Sequence, residues 1–159
     1  MNRFLTRLIK EKKVQLVEES AEMCESYQQK TDDCLLSAKI LLENGLYENS
    51  IINSYYAMYN NVLAFLYKCG IKSENHTGSM IILKEIINKP ELAESLEDMK
   101  RIRIDSQYYT KDNQEEEKKK SQESIKESEE FILKMKILMN SIKNSEIERI
   151  RESLGGKRW

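Results

Sequence analysis

The chain has 159 residues, of which 40% are hydrophobic and 33% charged, and its formal net charge is −1. That length suits one domain with its own core, and the near-neutral charge gives no overall indication of a nucleic-acid partner. One proline and five glycines leave long stretches without a helix breaker. The sequence therefore predicts an all-α fold, an up-and-down bundle of four to five helices with a short N-terminal helix.

Residues 3–17 are amphipathic and basic. Phe4 and Leu8 fall on one face of a helix, whereas Arg3 and Arg7 fall on the other. A basic amphipathic helix of this kind can dock on a membrane or a partner, or it can lie on the bundle as an accessory helix. The sequence thus predicts an N-terminal amphipathic extension over residues 1–19, before a bundle over residues 20–144.

The first two bundle helices are predicted over residues 20–44 and 47–69. Apolar residues recur at helical spacing in the first, and Gly45 suits the left-handed position that follows a helix. The second carries two apolar stripes and only a narrow polar strip, with Gly70 as its predicted end. A helix that is apolar around most of its circumference is covered on several sides. Residues 47–69 are therefore predicted to be the central helix.

The second half begins with a predicted loop over residues 71–78 and a helix to about residue 88. Pro90 suits the first turn of the next helix, which runs into the Arg101–Tyr109 stretch. Asp112 or Asn113 is predicted to cap the last long helix. Its apolar stripe could pack on the bundle or on a second subunit; the stripe consists of Ile125, Ile132, Met135, Met139 and Ile142. Residues 145–159 are predicted to be the helix end and a flexible tail.

The three cysteines fit neither a disulfide framework nor a zinc site, because their count is odd and no CxxC pair occurs. Each lies in an apolar-periodic segment, so we predict small core residues and a reducing, cytoplasmic location. No apolar run approaches the roughly 18 residues of a membrane span. No metal or cofactor is predicted, and no P-loop, GxGxxG or HExxH motif occurs. The cysteines are Cys24, Cys34 and Cys69.

The stretch Arg101–Tyr109 is the one constellation that could act on a phosphate. Arginine offers a planar, permanently charged fork for phosphoryl oxygens. On a helix Arg101, Asp105 and Tyr108 share a face, whereas Arg103 lies about 160° around the axis from Arg101. Both arginines can serve one site only if a bend or a second chain brings them together. The alternative is an ordinary structural pair between Arg101 and Asp105.

Four short motifs occur in a fixed order, namely Gly45-Leu46-Tyr47, Tyr55-Tyr56-Ala57-Met58, His76-Thr77-Gly78 and Arg103–Tyr109. Over about residues 20–140 this pattern resembles the HEPN domain, in particular the small prokaryotic proteins of the UPF0332 type. The resemblance implies a HEPN-like helical bundle that is usually dimeric. It also implies a metal-independent endoribonuclease, often the toxin half of a toxin–antitoxin or defence system. The implied partner is a minimal nucleotidyltransferase.

The catalytic motif implied by the resemblance is an arginine followed four to six residues later by a histidine. The arginine would stabilise phosphate charge, and the histidine would move the proton of the attacking 2′-hydroxyl. Here Ser106 lies five positions after Arg101, Tyr108 lies five after Arg103, and His76, the chain's one histidine, stands in another loop. Because the motif histidine is missing, we expect an Arg/Tyr groove that binds RNA or nucleotide rather than a standard ribonuclease.

Seven residues are candidates for the site. Two alternatives stay open beside RNA or nucleotide binding: a non-catalytic module that pairs with a nucleotidyltransferase, and a plain structural homodimer. A ribonuclease with a degenerate, metal-independent site also stays open. The catalytic candidates are Arg101, Arg103 and Tyr108, and the binding candidates are His76, Asp105, Ser106 and Tyr109.

Overall fold

The computed structural model describes residues 1–108 and 113–155. Within these residues the predicted all-α bundle is confirmed, with long helices α2, α3, α5 and α6 and shorter helices at both ends. Helix α4 continues into a π-helical segment, Ile82–Ile86. The elements are α1 (Arg3–Lys10), β1 (Val14–Leu16), α2 (Ala21–Glu43), α3 (Tyr47–Lys68), β2 (Ile71–Ser73), α4 (His76–Ile81), α5 (Pro90–Tyr108), α6 (Gln114–Ser141) and α7 (Asn144–Ser153).

Helix α3 is the centre of the bundle, as its apolar circumference predicts. It packs against α2, α5 and α6, and its Tyr55, Met58, Phe65 and Leu66 are fully buried. The helix is bounded by two glycines in the left-handed region, Gly45 with φ 72° and Gly70 with φ 66°. Both predicted helix ends are therefore confirmed.

The N-terminal segment differs from its prediction. The helix predicted over residues 3–17 ends at Lys10, and Val14–Leu16 pairs antiparallel with Ile71–Ser73, inside the predicted loop. The prediction was wrong here because strand pairing depends on a partner far along the chain, whereas periodicity is local. Leu5 and Leu8 of α1 are at most 1% exposed and belong to the same core as the bundle.

Helices α3 and α6 meet along a seam of buried serines. Ser121 donates its hydroxyl to Ser50 at 2.7 Å, and Ser128 donates to the carbonyl of Ser54 at 2.8 Å. Both α6 serines are fully buried. Because serine is small and bonds locally to backbone carbonyls, it lets two helices approach closely without leaving a polar group unpaired. The predicted apolar stripe of α6 packs inside the same bundle, since Ile125, Ile132, Met135 and Met139 are buried.

The last helix of the prediction is divided in two. The side chain of Asn113 caps α6, which confirms one of the two predicted capping residues. The other predicted residue, Asp112, lies outside the described residues. The helix ends because Ile142 adopts an extended backbone with ψ 133°. Glu146 then accepts a hydrogen bond at 2.9 Å from the Lys143 backbone and starts α7. Helix α7 packs on the core through its apolar face, namely Ile147, Ile150 and the adjoining Leu154.

Candidate functional site

Three tyrosines of α3 form the base of the candidate site. Tyr55 and Tyr59 lie one turn apart, and their rings stack with centroids 6.2 Å apart. Tyr56 meets Tyr55 edge-on at 5.3 Å. Tyr55 and Tyr59 are buried, whereas Tyr56 is half-buried. Such rings offer both an apolar surface and hydroxyls that seek partners when buried.

His76 joins these tyrosines from the next helix. Asn75 caps α4 by accepting the Gly78 backbone N–H at 2.8 Å, so the helix begins at His76. The His76 ring stacks on Tyr59 with centroids 3.8 Å apart. Its Nδ1 lies 2.5 Å from the Tyr55 hydroxyl, and its Nε2 has no hydrogen-bond partner among the described residues. The histidine that stood in another loop of the sequence thus belongs to the tyrosine group.

Arg103 reaches the same group from α5. Its Nη1 donates to the Tyr56 hydroxyl at 3.1 Å, and its guanidinium carbon lies 4.6 Å from the Tyr55 ring centroid. The Nε atom is buried without a hydrogen-bond partner in the part of the chain that the structure describes. We call Tyr55, Tyr56, Tyr59, His76 and Arg103 the Tyr–His–Arg cluster. It combines one fixed positive charge with aromatic faces, which together suit a phosphate and a base.

The charge states of the cluster follow from its burial. Burial, together with the nearby charges of Arg103 and Lys100, lowers the pKa of His76 to about 4. Burial also raises the pKa of Tyr55 well above its ordinary range, although Arg103 opposes that shift. At neutral pH the imidazole is therefore neutral, the phenol keeps its proton, and Arg103 carries the charge of the cluster.

This burial predicts an unusual titration for His76. The folded pKa lies below the unfolded value near 6.5, so the unfolded chain binds the extra proton first as the pH falls. The stabilisation that the neutral His76 gives to the folded state is complete above about pH 6.5 and is lost progressively as the pH falls towards 4. We expect about 0.5–1 kcal/mol less unfolding free energy at pH 5.5 than at pH 7, after a discount for partial exposure.

Nuclear magnetic resonance can follow this titration directly, because His76 is the only histidine in the chain. The His76→Gln variant serves as the control for the stability measurement, since it keeps every carboxylate and loses only the imidazole. A ring signal that titrates near the ordinary histidine pKa would contradict the burial of His76 in this cluster.

The other predicted site residues lie apart from the cluster. Arg101 is exposed and pairs with Asp98 rather than with Asp105. Tyr108 is 79% exposed, Asp105 is exposed and Ser106 is buried. Tyr109 lies outside the described residues. The structure therefore joins Arg103 and His76 and leaves Arg101 on a different face of α5.

A cleft of about 500 Å³ lies between α5 and α6 on the Arg101 side. Among the described residues its charged lining is mostly acidic, with Lys120 as the one basic side chain; the carboxylates are Asp98, Asp105, Glu123 and Glu127. An acidic cleft repels phosphate, because like charges close together raise the free energy of binding. The geometry thus favours the Tyr–His–Arg cluster over this cleft as a phosphate site.

The HEPN domain family matches residues 7–138 of the chain. The chain belongs to the HEPN domain family. The match extends from α1 into α6 and includes every member of the Tyr–His–Arg cluster. It places the protein among nucleotide- and RNA-related helical modules in general. A search of curated proteins found no match.

The two apolar stripes predicted for residues 47–69 of this HEPN domain include three tyrosines, Tyr55, Tyr56 and Tyr59. Two of the three are buried, yet each hydroxyl has a polar neighbour, and those of Tyr55 and Tyr56 face His76 and Arg103. A signal was present, since three tyrosines within five positions give more hydroxyls than an apolar core can leave unpaired. Their partners could not be named because they come from other elements.

In residues 1–108 and 113–155, no group of three or more histidines, cysteines or carboxylates is placed to hold a metal ion. Over the same residues, no helix is both long and apolar enough to cross a membrane.

Proposed function

We propose that this HEPN domain binds single-stranded RNA or a nucleotide through the Tyr–His–Arg cluster, in a toxin–antitoxin-like or defence system. The observation that carries the proposal is the state of Arg103. Its guanidinium lies over two tyrosine rings and donates one N–H to Tyr56, and its buried Nε has no hydrogen-bond partner among the residues that the structure describes. A permanently charged planar fork beside aromatic rings is suited to phosphate oxygens.

Binding without rapid cleavage is the outcome that the cluster favours. A general base works best when its pKa lies near the working pH, whereas the pKa of His76 is lowered to about 4. Its Nδ1 is occupied by the Tyr55 hydroxyl, and its ring is held in the stack on Tyr59. Ser106, which takes the place of the motif histidine after Arg101, is buried and a hydroxyl is a poor base. We propose that the protein holds RNA and cuts it slowly at most.

The test is a fluorescence anisotropy titration of a short labelled single-stranded RNA in the presence of a chelator. We expect saturable binding that weakens as salt is added, because each neutralised phosphate releases counterions. The RNA should remain intact on a denaturing gel during the titration. A lack of saturable binding at low salt, for both RNA and free nucleotides, would contradict the proposal.

A further inference from the structure

The acidic cleft between α5 and α6 is a second cavity, whose chemistry the Tyr–His–Arg cluster does not use. Its volume of about 500 Å³ lies within the range of small-molecule sites. Four of the five charged residues that line it in the described part of the chain are carboxylates. A ligand that enters this cleft therefore gains binding free energy by carrying positive charge.

The carboxylates of the cleft are only partly neutralised within the chain. Asp105 and Glu127 make no ion pair with another described residue. Asp98 and Glu123 pair with exposed cations of their own helices, and exposed pairs of this kind are weak. Lys120, the basic residue of the lining, pairs at 3.7 Å with a carboxylate outside the lining. The cleft thus keeps negative charge that a cationic ligand can neutralise.

A buried serine is a second, independent indication of a ligand. Ser124 is 2% exposed and lines the cleft from α6, yet its hydroxyl makes no hydrogen bond with another described residue. Ser121 and Ser128 of the same helix both donate to α3, at 2.7 and 2.8 Å. Ser124 lies about 40–60° around the α6 axis from these two, on the side of the cleft. Because a buried hydroxyl without a partner costs free energy, Ser124 is suited to accept a hydrogen bond from a donor in the cleft.

The carboxylates are spread along the cleft rather than gathered at one point. Ser95 donates to Glu127 at 2.5 Å, which puts these two residues at one level of the bundle. Asp98 lies three residues further along α5, about 5 Å along its axis, and Asp105 lies ten residues further, about 15 Å. In residues 1–108 and 113–155, no group of three or more such side chains is placed to hold a metal ion. The spacing therefore matches an extended cation rather than a single ion.

We propose that this cleft binds a linear aliphatic polyamine. Three or four methylenes separate successive ammonium groups in such a chain, which places these groups about 5–6 Å apart, close to one helical turn. The first ammonium group meets Glu127, and the next meets Asp98 and the hydroxyl of Ser124. A further group reaches Asp105 at the other end of the cleft. Each ammonium group donates hydrogen bonds to carboxylate or hydroxyl oxygens, and such charge-assisted bonds are the strong ones.

The apolar part of the lining suits the methylenes of a polyamine. Met99 and Ile102 line the cleft between its acidic levels, and Ile102 is 37% exposed. Lysine side chains lie on protein surfaces in the same way, with the aliphatic stem on apolar groups and the ammonium group on polar ones. The cleft is also separate from the Tyr–His–Arg cluster, since Arg103 lies about 100° around the α5 axis from Ile102. The proposal is therefore independent of the proposed RNA binding, and either one can fail alone.

Isothermal titration calorimetry of the full chain with spermidine, in the absence of RNA, tests the proposal. We expect one saturable site, and we expect Asp105→Asn with Glu127→Gln to weaken it by more than about tenfold, because two charge-neutralising contacts are lost. Ser124→Ala should weaken binding by about fivefold without lowering the thermal melting temperature, since this hydroxyl gives up no bond within the described chain. Asp32→Asn with Asp33→Asn, at exposed positions of α2, removes the same charge elsewhere and should change the affinity by no more than about twofold.

Two other cations separate shape and source from charge. Hexaamminecobalt(III) has the same triple positive charge as spermidine in a compact form, and it should bind at least about tenfold more weakly because it cannot reach several levels of the cleft. Acetylated and amidated trilysine, also triply charged, should bind more weakly as well. Tighter binding of this peptide would assign the cleft to a basic protein segment and overturn the proposal. A lack of saturable spermidine binding, equal affinity for the cobalt complex, or equal losses in the cleft and α2 variants would overturn it too. Circular dichroism of each variant should show an unchanged helix content.

Discussion

Replacing Gly70 with alanine is expected to lower the free energy of unfolding by about 4 kcal/mol. Part of this cost is backbone strain, because Gly70 has φ 66° and a left-handed conformation costs other residues roughly 1–2 kcal/mol. The larger part is steric. A Cβ atom at this position would lie 1.8 Å from Nη1 of Arg151 and 2.7 Å from the Val17 carbonyl oxygen.

Arg151 cannot move aside without loss, because its Nη1 holds three parts of the chain together. It donates to the carbonyls of Val17 at 2.8 Å, Cys69 at 3.1 Å and Gly70 at 2.8 Å. Two of these carbonyls belong to the end of α3, where helical partners run out. Loss of a charge-assisted hydrogen bond costs about 1.5–3 kcal/mol, so displacement of the guanidinium supplies the remainder of the expected effect.

Gly45 offers a matched control. Its φ of 72° is nearly the same as that of Gly70, but an added Cβ would have no atom within 4 Å. Gly45→Ala should therefore cost only the strain, about 1–2 kcal/mol. Denaturant unfolding followed by circular dichroism measures both variants. Equal losses of unfolding free energy in the two variants would show that displacement of Arg151 adds nothing to the cost of backbone strain.

Gly45 and Gly70 show which features of the fold can be predicted from the sequence and which cannot. Helix ends at Gly45 and Gly70 could be predicted because a left-handed residue after an apolar run is a local feature. The hydrogen bond from Arg151 to the Val17 carbonyl could not be predicted, since it joins residues near opposite ends of the chain. The antiparallel pairing of β1 with β2 was not predicted for the same reason. The buried serines between α3 and α6 were not predicted, because serines such as Ser121 and Ser128 are typical of the solvated face of a helix. Only the packing of α6 on α3 shows that they are buried.

The candidate site likewise combines local features that the sequence predicts with long-range contacts that only the structure shows. The Arg101–Tyr109 stretch could be singled out from residue types alone, but the choice between its two arginines required the packing of α5 on α3. Helical geometry correctly separated Arg101 from Arg103 by most of a half-turn. It could not show that Arg103 contacts the same tyrosines as His76, because a loop and a second helix position that histidine.

Arg103→Ala is expected to weaken binding of single-stranded RNA by about 30-fold. Removal of a guanidinium that contacts phosphate costs about 2 kcal/mol, as for other hydrogen bonds of charged groups. The slope of log affinity against log salt should also fall by about 0.7, the value for one phosphate contact on a single strand. Anisotropy titrations at several salt concentrations give both quantities. Arg103→Lys keeps the charge without the planar fork and should fall between the two proteins.

Arg101→Ala is the matched control, because it removes the same charge from the same helix. Arg101 is exposed and pairs with Asp98 beside an acidic cleft, so its loss should change RNA affinity by no more than about twofold. A thermal melt of each variant separates a binding defect from unfolding, since Arg103 also contacts the rings of Tyr55 and Tyr56. Equal losses from both substitutions would mean that RNA responds to the overall charge of α5. A loss confined to Arg103 would place the phosphate at the Tyr–His–Arg cluster, as the proposed function requires.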